Sequence, residues 1–264
     1  MDWTAAQEKL RGPAFLPLAG AIARLEPSRW PTLEELNALA DAVVTSRGMP
    51  VRFVPPREQR DGSRPTYERH IGESGEVETR PQNWHDLFNA LAWIAFPQAK
   101  AAINAQHAAM LEEGGEEEAR RRSPARDALT LFDEGGVAVA SSSPALLRLI
   151  VEHEWKELFW HRREEVAEKM RFVAFGHALF EKALDPFIGI VAKTVFVPVG
   201  DLFPMLPPET QMAQADSLLA AHFAVRSRFL SPKSMPPLPV LGIPGWYHDT
   251  DREGYYDDPD HFRK

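Results

Sequence analysis

His85, Asp86 and His107 are the residues whose types and spacing best suit chemistry in this chain. His85 and Asn89 stand four apart in NWHDLFNALAWIAF, and Asn104 and His107 three apart in AKAAINAQHAAM, so each pair falls on one helix face. Pro97 between the two runs supplies a turn that lets those faces meet. A neutral imidazole binds a divalent metal or carries a proton near neutral pH, and a neighbouring carboxylate orients the ring or ligates the ion. The expected site is a His/Asp pocket on His85, Asp86 and His107, with Asn89 and Asn104 as secondary members. The plainer alternative is that these polar groups cap and join helices.

Two more groups carry suitable chemistry. Asp127, Asp133 and Glu134 precede the Gly135-Gly136 turn, where carboxylates would face a metal or an amine; otherwise they favour a helix start and an exposed turn. His177 and Glu181, one turn apart, would form a carboxylate-histidine base. Among Phe172, Phe175 and Phe180, His177 also reads as a hydrogen-bonded core histidine. Without cysteine, any metal must be held by His, Asp, Glu or Asn; the sequence names no cofactor, and a divalent ion is one that these clusters could take.

Helices must position these groups. Thr32 and Glu35 make a capping box ahead of Leu36, Leu39, Ala40 and Val43, with Gly48 as the expected stop. VRFVPP at 51–56 has a short strand's composition, and a loop with Arg57, Arg60 and Arg64 follows. Thr66–Ile71 and Glu76–Thr79 read as a small hairpin across Gly72 and Gly75. Helices are expected over 83–96 with Asn83 as cap, through AKAAINAQHAAM to an end at Gly114 and Gly115, from Ser123-Pro124 to Gly135, and from Ser143-Pro144 toward Phe159. A long helix is expected over 162–184, a strand or buried connector over 188–199, and a helix over 209–223. The EEE and RRR runs at 116–122 read as a solvated face. The fold class is mainly α with a few short strands or a small hairpin (α+β admitted), in one compact domain over 1–264. Its proline- and aromatic-rich arm at 231–264 packs back on the body.

NWHDLFNALAWIAFP, INAQH, ARDALTLFDEGG and the late GWY segment resemble the bacterial family of uncharacterised proteins DUF3025. The resemblance spans most of the chain and is most specific from Pro81 to Gly136. It implies membership and carries no reaction, cofactor or fold.

Composition narrows the function. The 38 acidic and 30 basic residues leave a net charge of −8, which disfavours nucleic acid as a partner. The apolar runs are interrupted before membrane-spanning length and the N-terminus resembles no leader, so a cytoplasmic location without a membrane partner is expected. The standard dinucleotide, P-loop, serine-hydrolase elbow and zincin motifs do not occur. The leading expectation is a metal- or small-molecule-binding enzyme, a hydrolase by class. The alternative is a noncatalytic protein that docks a protein partner on its aromatic helix face and C-terminal arm. A third reading is a ββα metal-dependent nuclease, with His70 or His85 activating water and Arg57, Arg60, Arg64, Arg69 and Arg80 near phosphate. Convergence of His85, His107 and a carboxylate in one cavity favours chemistry; dispersal around a flat aromatic surface favours docking.

Overall fold

A four-stranded sheet sits between two helical layers in a computed structural model that describes residues 1–57 and 66–263. The chain runs α1 (Trp3–Ala6), α2 (Ala19–Ile22), α3 (Leu33–Leu39), β1 (Arg52–Val54), α4 (Tyr67–Ser74), β2 (Glu76–Glu78) and α5 (Trp84–Ala95). It continues through α6 (Pro97–Arg120), α7 (Pro124–Gly135), β3 (Gly136–Ser141), α8 (Pro144–Val151) and α9 (Arg163–Lys169). The last elements are β4 (Met170–Ala174), α10 (His177–Ala183), β5 (Val191–Pro198), α11 (Pro208–Phe223) and β6 (Pro237–Pro239). The fold is predominantly helical, and the short strands form two small sheets. No helix among the described residues is long and apolar enough to cross a membrane.

The larger sheet has the order β4-β3-β5-β6; β3 runs parallel to β5 and antiparallel to β4. Both faces of β3 are covered because its side chains alternate between two cores. Val137 and Val139 join Phe88, Leu91, Leu158, Phe159 and Phe180. Ala138 and Ala140 join Ile103, Leu129, Phe132, Leu219 and Phe223 on the other side. β6 is an edge strand, where prolines without N–H groups are tolerated. Beyond it Tyr255 and Tyr256 donate to the carbonyls of Leu241 and Gly242, and Trp155 Nε1 donates to Arg263 O.

Local signals fix the starts of α3, α5, α7 and α8. Thr32 and Glu35 exchange both capping-box bonds, and Asn83, Ser123 and Ser143 accept backbone N–H groups at the starts of α5, α7 and α8. α3 nevertheless ends at Leu39, well before Gly48, and α8 ends at Val151, followed by a π turn at Glu157–His161. Pro97 begins α6, and the buried carboxylate of Asp216 in α11 accepts the N–H groups of Gln98 and Ala99 there. α6 kinks at Gly115, where φ is 56°, and continues through the acidic run to Arg120.

Two expected elements are replaced. The hairpin over 66–79 does not form: residues 67–74 are helical, and β2 pairs in parallel with β1. Gly75 does turn the chain, but as the left-handed cap of α4, donating to Ile71 O; parallel neighbours need such a crossover. The single helix over 162–184 becomes α9, β4 and α10. MRFVA fits helical spacing locally, yet residues 170–174 hydrogen-bond along β3, with Met170 and Ala174 in one core and Val173 in the other. Arg60 and Arg64 lie outside the described residues, and Arg57 pairs with Glu76.

Candidate active site

α4, α5, α6, α7 and the start of α10 enclose a cavity of about 400 Å³. Beside Asp86, the sequence candidates His85, Asn89, Asn104, His107, Asp133, Glu134 and His177 line it together, with Arg80 at its edge. The α5 and α6 faces therefore do converge across the Phe96-Pro97 turn. His177 arrives by a longer route. β3 and β4 pair Val137 with Ala174, so the end of α7 and the start of α10 emerge side by side from the sheet. Phe175 and Gly176 both donate their N–H to Gly136 O, which seats His177 above Asp133. Gly176 must lack a side chain, because a Cβ there would lie 2.4 Å from Glu134 O.

The cavity floor is a buried charge cluster. Lys100 Nζ donates to Asp133 Oδ1 at 2.6 Å and Asn89 Oδ1 at 2.9 Å, and sits 5.5 Å from the Trp93 ring centroid. Asn89 Nδ2 in turn donates to the Tyr67 hydroxyl at 3.1 Å. Burial pushes the Asp133 carboxyl up, but Lys100 and His177 beside it prevail and hold it below its ordinary value. Desolvation, then Asp133, raises the Tyr67 phenol, which stays protonated.

The two inner histidines are neutral. Burial lowers both His107 and His177 to about 4, against the pull of nearby carboxylates. The Nδ1 atoms of both rings are buried and have no hydrogen-bond partner among the described residues; His177 Nδ1 lies 3.6 Å from Asp133 Oδ2. Asn104 donates to Glu68 O at 2.7 Å, and its Oδ1 and the Thr130 hydroxyl are likewise unpartnered.

Other sequence candidates take different places. Asp86 lines the cavity, but both its oxygens accept from Arg80, at 2.7 and 2.9 Å. Glu181 lies outside the lining and reaches His85 rather than His177. Asp127 sits in the first turn of α7, away from the cavity, as a helix-start residue would. Among the described residues no group of three or more His, Asp or Glu side chains is arranged to hold a metal ion. Lys100, Tyr67 and Thr130 were not singled out. For Lys100 a signal existed: with Asn104 and His107 it forms an i, i+4, i+7 stripe along α6.

The family model described as "Protein of unknown function (DUF3025)" matches residues 51–264. The chain belongs to the DUF3025 family. Every residue lining the cavity falls inside the stretch that defines DUF3025, while α1 to α3 precede it. No curated protein and no solved structure matches the chain.

Proposed function

We propose that this DUF3025 protein is a small-molecule enzyme that performs acid–base chemistry in the cavity, with hydrolysis of a polar substrate as its reaction class. One observation carries the reading: Lys100 and His107 from α6, Asp133 from α7 and His177 from α10 converge in one concave space, with two ring nitrogens left without partners among the described residues. Folded proteins pair nearly all buried polar atoms, so unpaired ones lining a cavity point to a ligand. A volume of about 400 Å³ suits a small substrate.

In this reading neutral His177 takes or gives the proton at Nδ1 beside the Asp133 carboxylate. The Lys100 ammonium offsets negative charge that develops on the substrate. The Tyr67 hydroxyl accepts from Asn89, which leaves its own hydrogen to donate. Burial of Trp93, Phe88, Tyr255, Tyr256 and Phe262 supports this reading over docking of a protein partner on those rings.

The test is a panel of carboxylic esters, amides, phosphomonoesters and glycosides, with substrate loss followed by mass spectrometry. Wild type is compared with His177→Gln and Asp133→Asn, folding being checked by circular dichroism. Turnover that drops about 100-fold or more in either folded variant supports the reading. Turnover that persists in both, or a wild type that neither binds nor converts any member, refutes it.

A further inference from the structure

A row of four side chains leads from the cavity to solvent. Glu181 Oε2 lies 3.3 Å from His85 Nδ1, His85 Nε2 lies 3.1 Å from His177 Nε2, and His177 Nδ1 lies 3.6 Å from Asp133 Oδ2. The rings meet edge to face, at 83°. Exposure falls from 46% at Glu181 and 40% at His85 to 8% at His177, and Asp133 at the cavity end is 22% exposed.

Counting hydrogens gives the row a property that no single pair has. Its two outer separations are of hydrogen-bond length, whereas the 3.6 Å between His177 Nδ1 and Asp133 Oδ2 is an electrostatic contact beyond it; two neutral imidazoles bring two ring hydrogens to the two bonds. One added proton makes the histidine pair cationic. That proton has two resting places: on His85, or on His177 once the His85 Nε2–H bond breaks and a His177 Nε2–H bond forms. At hydrogen-bond distance, this transfer moves a positive charge between an exposed and a buried ring without moving heavy atoms.

We propose that Glu181, His85 and His177 form a proton relay between solvent and the cavity, with His177 Nδ1 as the inner terminus that exchanges a proton with bound substrate. The substrate end of the proposal rests on the enzymatic reading above; the relay itself does not. Inward, His85 gains a proton at Nδ1 from the Glu181 side and passes its Nε2 proton to His177 Nε2. His177 then releases its Nδ1 proton to a basic substrate atom. One proton enters and one leaves, each ring ending as its other tautomer. An opposite step later in the same turnover restores the row. Burial, which lowers His177 to about 4, makes the charge pass through the inner ring rather than rest there. The charged groups facing the row are Asp133 on α7 and Lys100 on α6 around His177, with Glu181 on α10 and the Arg80–Asp86 pair around His85.

The relay is tested on the full chain with isotope-labelled histidine, following ring carbon and nitrogen shifts by NMR from pH 4 to 9 and assigning peaks by His85→Gln and His177→Gln. Wild type should show the His85 and His177 curves sharing inflections, as a coupled pair does. Glu181→Gln should lower the His177 midpoint by about 0.5 pH unit. In a His85→Gln background the same change should leave His177 unmoved, because the connecting ring is gone. A shift of equal size in both backgrounds marks a direct field effect and overturns the relay, as does a His177 curve that Glu181→Gln leaves unmoved when His85 is present. These readouts need no substrate, so failure here leaves the enzymatic reading standing, and a failed substrate search leaves this result intact.

Discussion

Lys100→Met tests the energetic core of the site. The ammonium is 4% exposed and is the cation bonded to Asp133, with Asn89 Oδ1 as its second acceptor. Methionine keeps the length and fills the space, so a cavity contributes little to the loss. What remains is a carboxylate without its cation and an amide oxygen without its donor. Breaking a buried pair from one side costs about 3–5 kcal/mol. Asp133 is 22% exposed, so water entering the cavity recovers part of that, and about 2–3 kcal/mol is expected. Urea unfolding at pH 7 followed by circular dichroism measures it. Adding Asp133→Leu removes the stranded charge, and the double variant should lie within about 1 kcal/mol of wild type. The Lys100→Met penalty should also shrink at pH 4.5, because the uncompensated carboxyl then escapes by taking a proton. A single variant costing less than about 0.5 kcal/mol, or a double variant as unstable as the two singles summed, refutes the argument.

Stability should fall as pH drops from about 6.5 to about 4, because the unfolded chain takes up protons at His107 and His177 while the folded rings, depressed to about 4, refuse them. Each ring contributes on the order of 3 kcal/mol across that window, with partly buried His222 adding in the same sense, and His177→Gln should flatten the urea midpoint against pH; an equal slope in that variant defeats the assignment. Gly176→Ala should cost about 1–3 kcal/mol, since its Cβ would meet the Glu134 carbonyl, and should displace the His177 ring resonance; wild-type stability would show that the α7–α10 junction yields freely. Tyr256→Phe should cost about 1 kcal/mol through loss of the bond to Gly242 O, read as a lower melting temperature; no change would mean that the hydroxyl is equally well solvated in the unfolded chain.

Elements whose causes lie within a few residues were legible in the sequence. Asn83, Ser123-Pro124 and Ser143-Pro144 start helices by satisfying N–H groups three residues away, so no distant contact is needed. The i, i+4 and i, i+3 spacings placed His85 with Asn89 and Asn104 with His107 on single faces, and both faces line the cavity. The resemblance to DUF3025 was likewise carried by local strings and holds over residues 51–264.

What depended on partners distant in sequence was decided only by the tertiary structure. MRFVA became β4 because β3 offers it a ladder and two cores, whereas its own spacing fits a helix equally well. That pairing also brings His177 to Asp133, 44 positions earlier, and so to Lys100, a lysine that sequence alone reads as surface. Asp86, beside His85 in the chain, turned instead to Arg80. Sequence specified which side chains each helix face offers; the sheet between the helices determined which faces meet, because hydrogen bonds across a ladder join segments that local periodicity cannot relate.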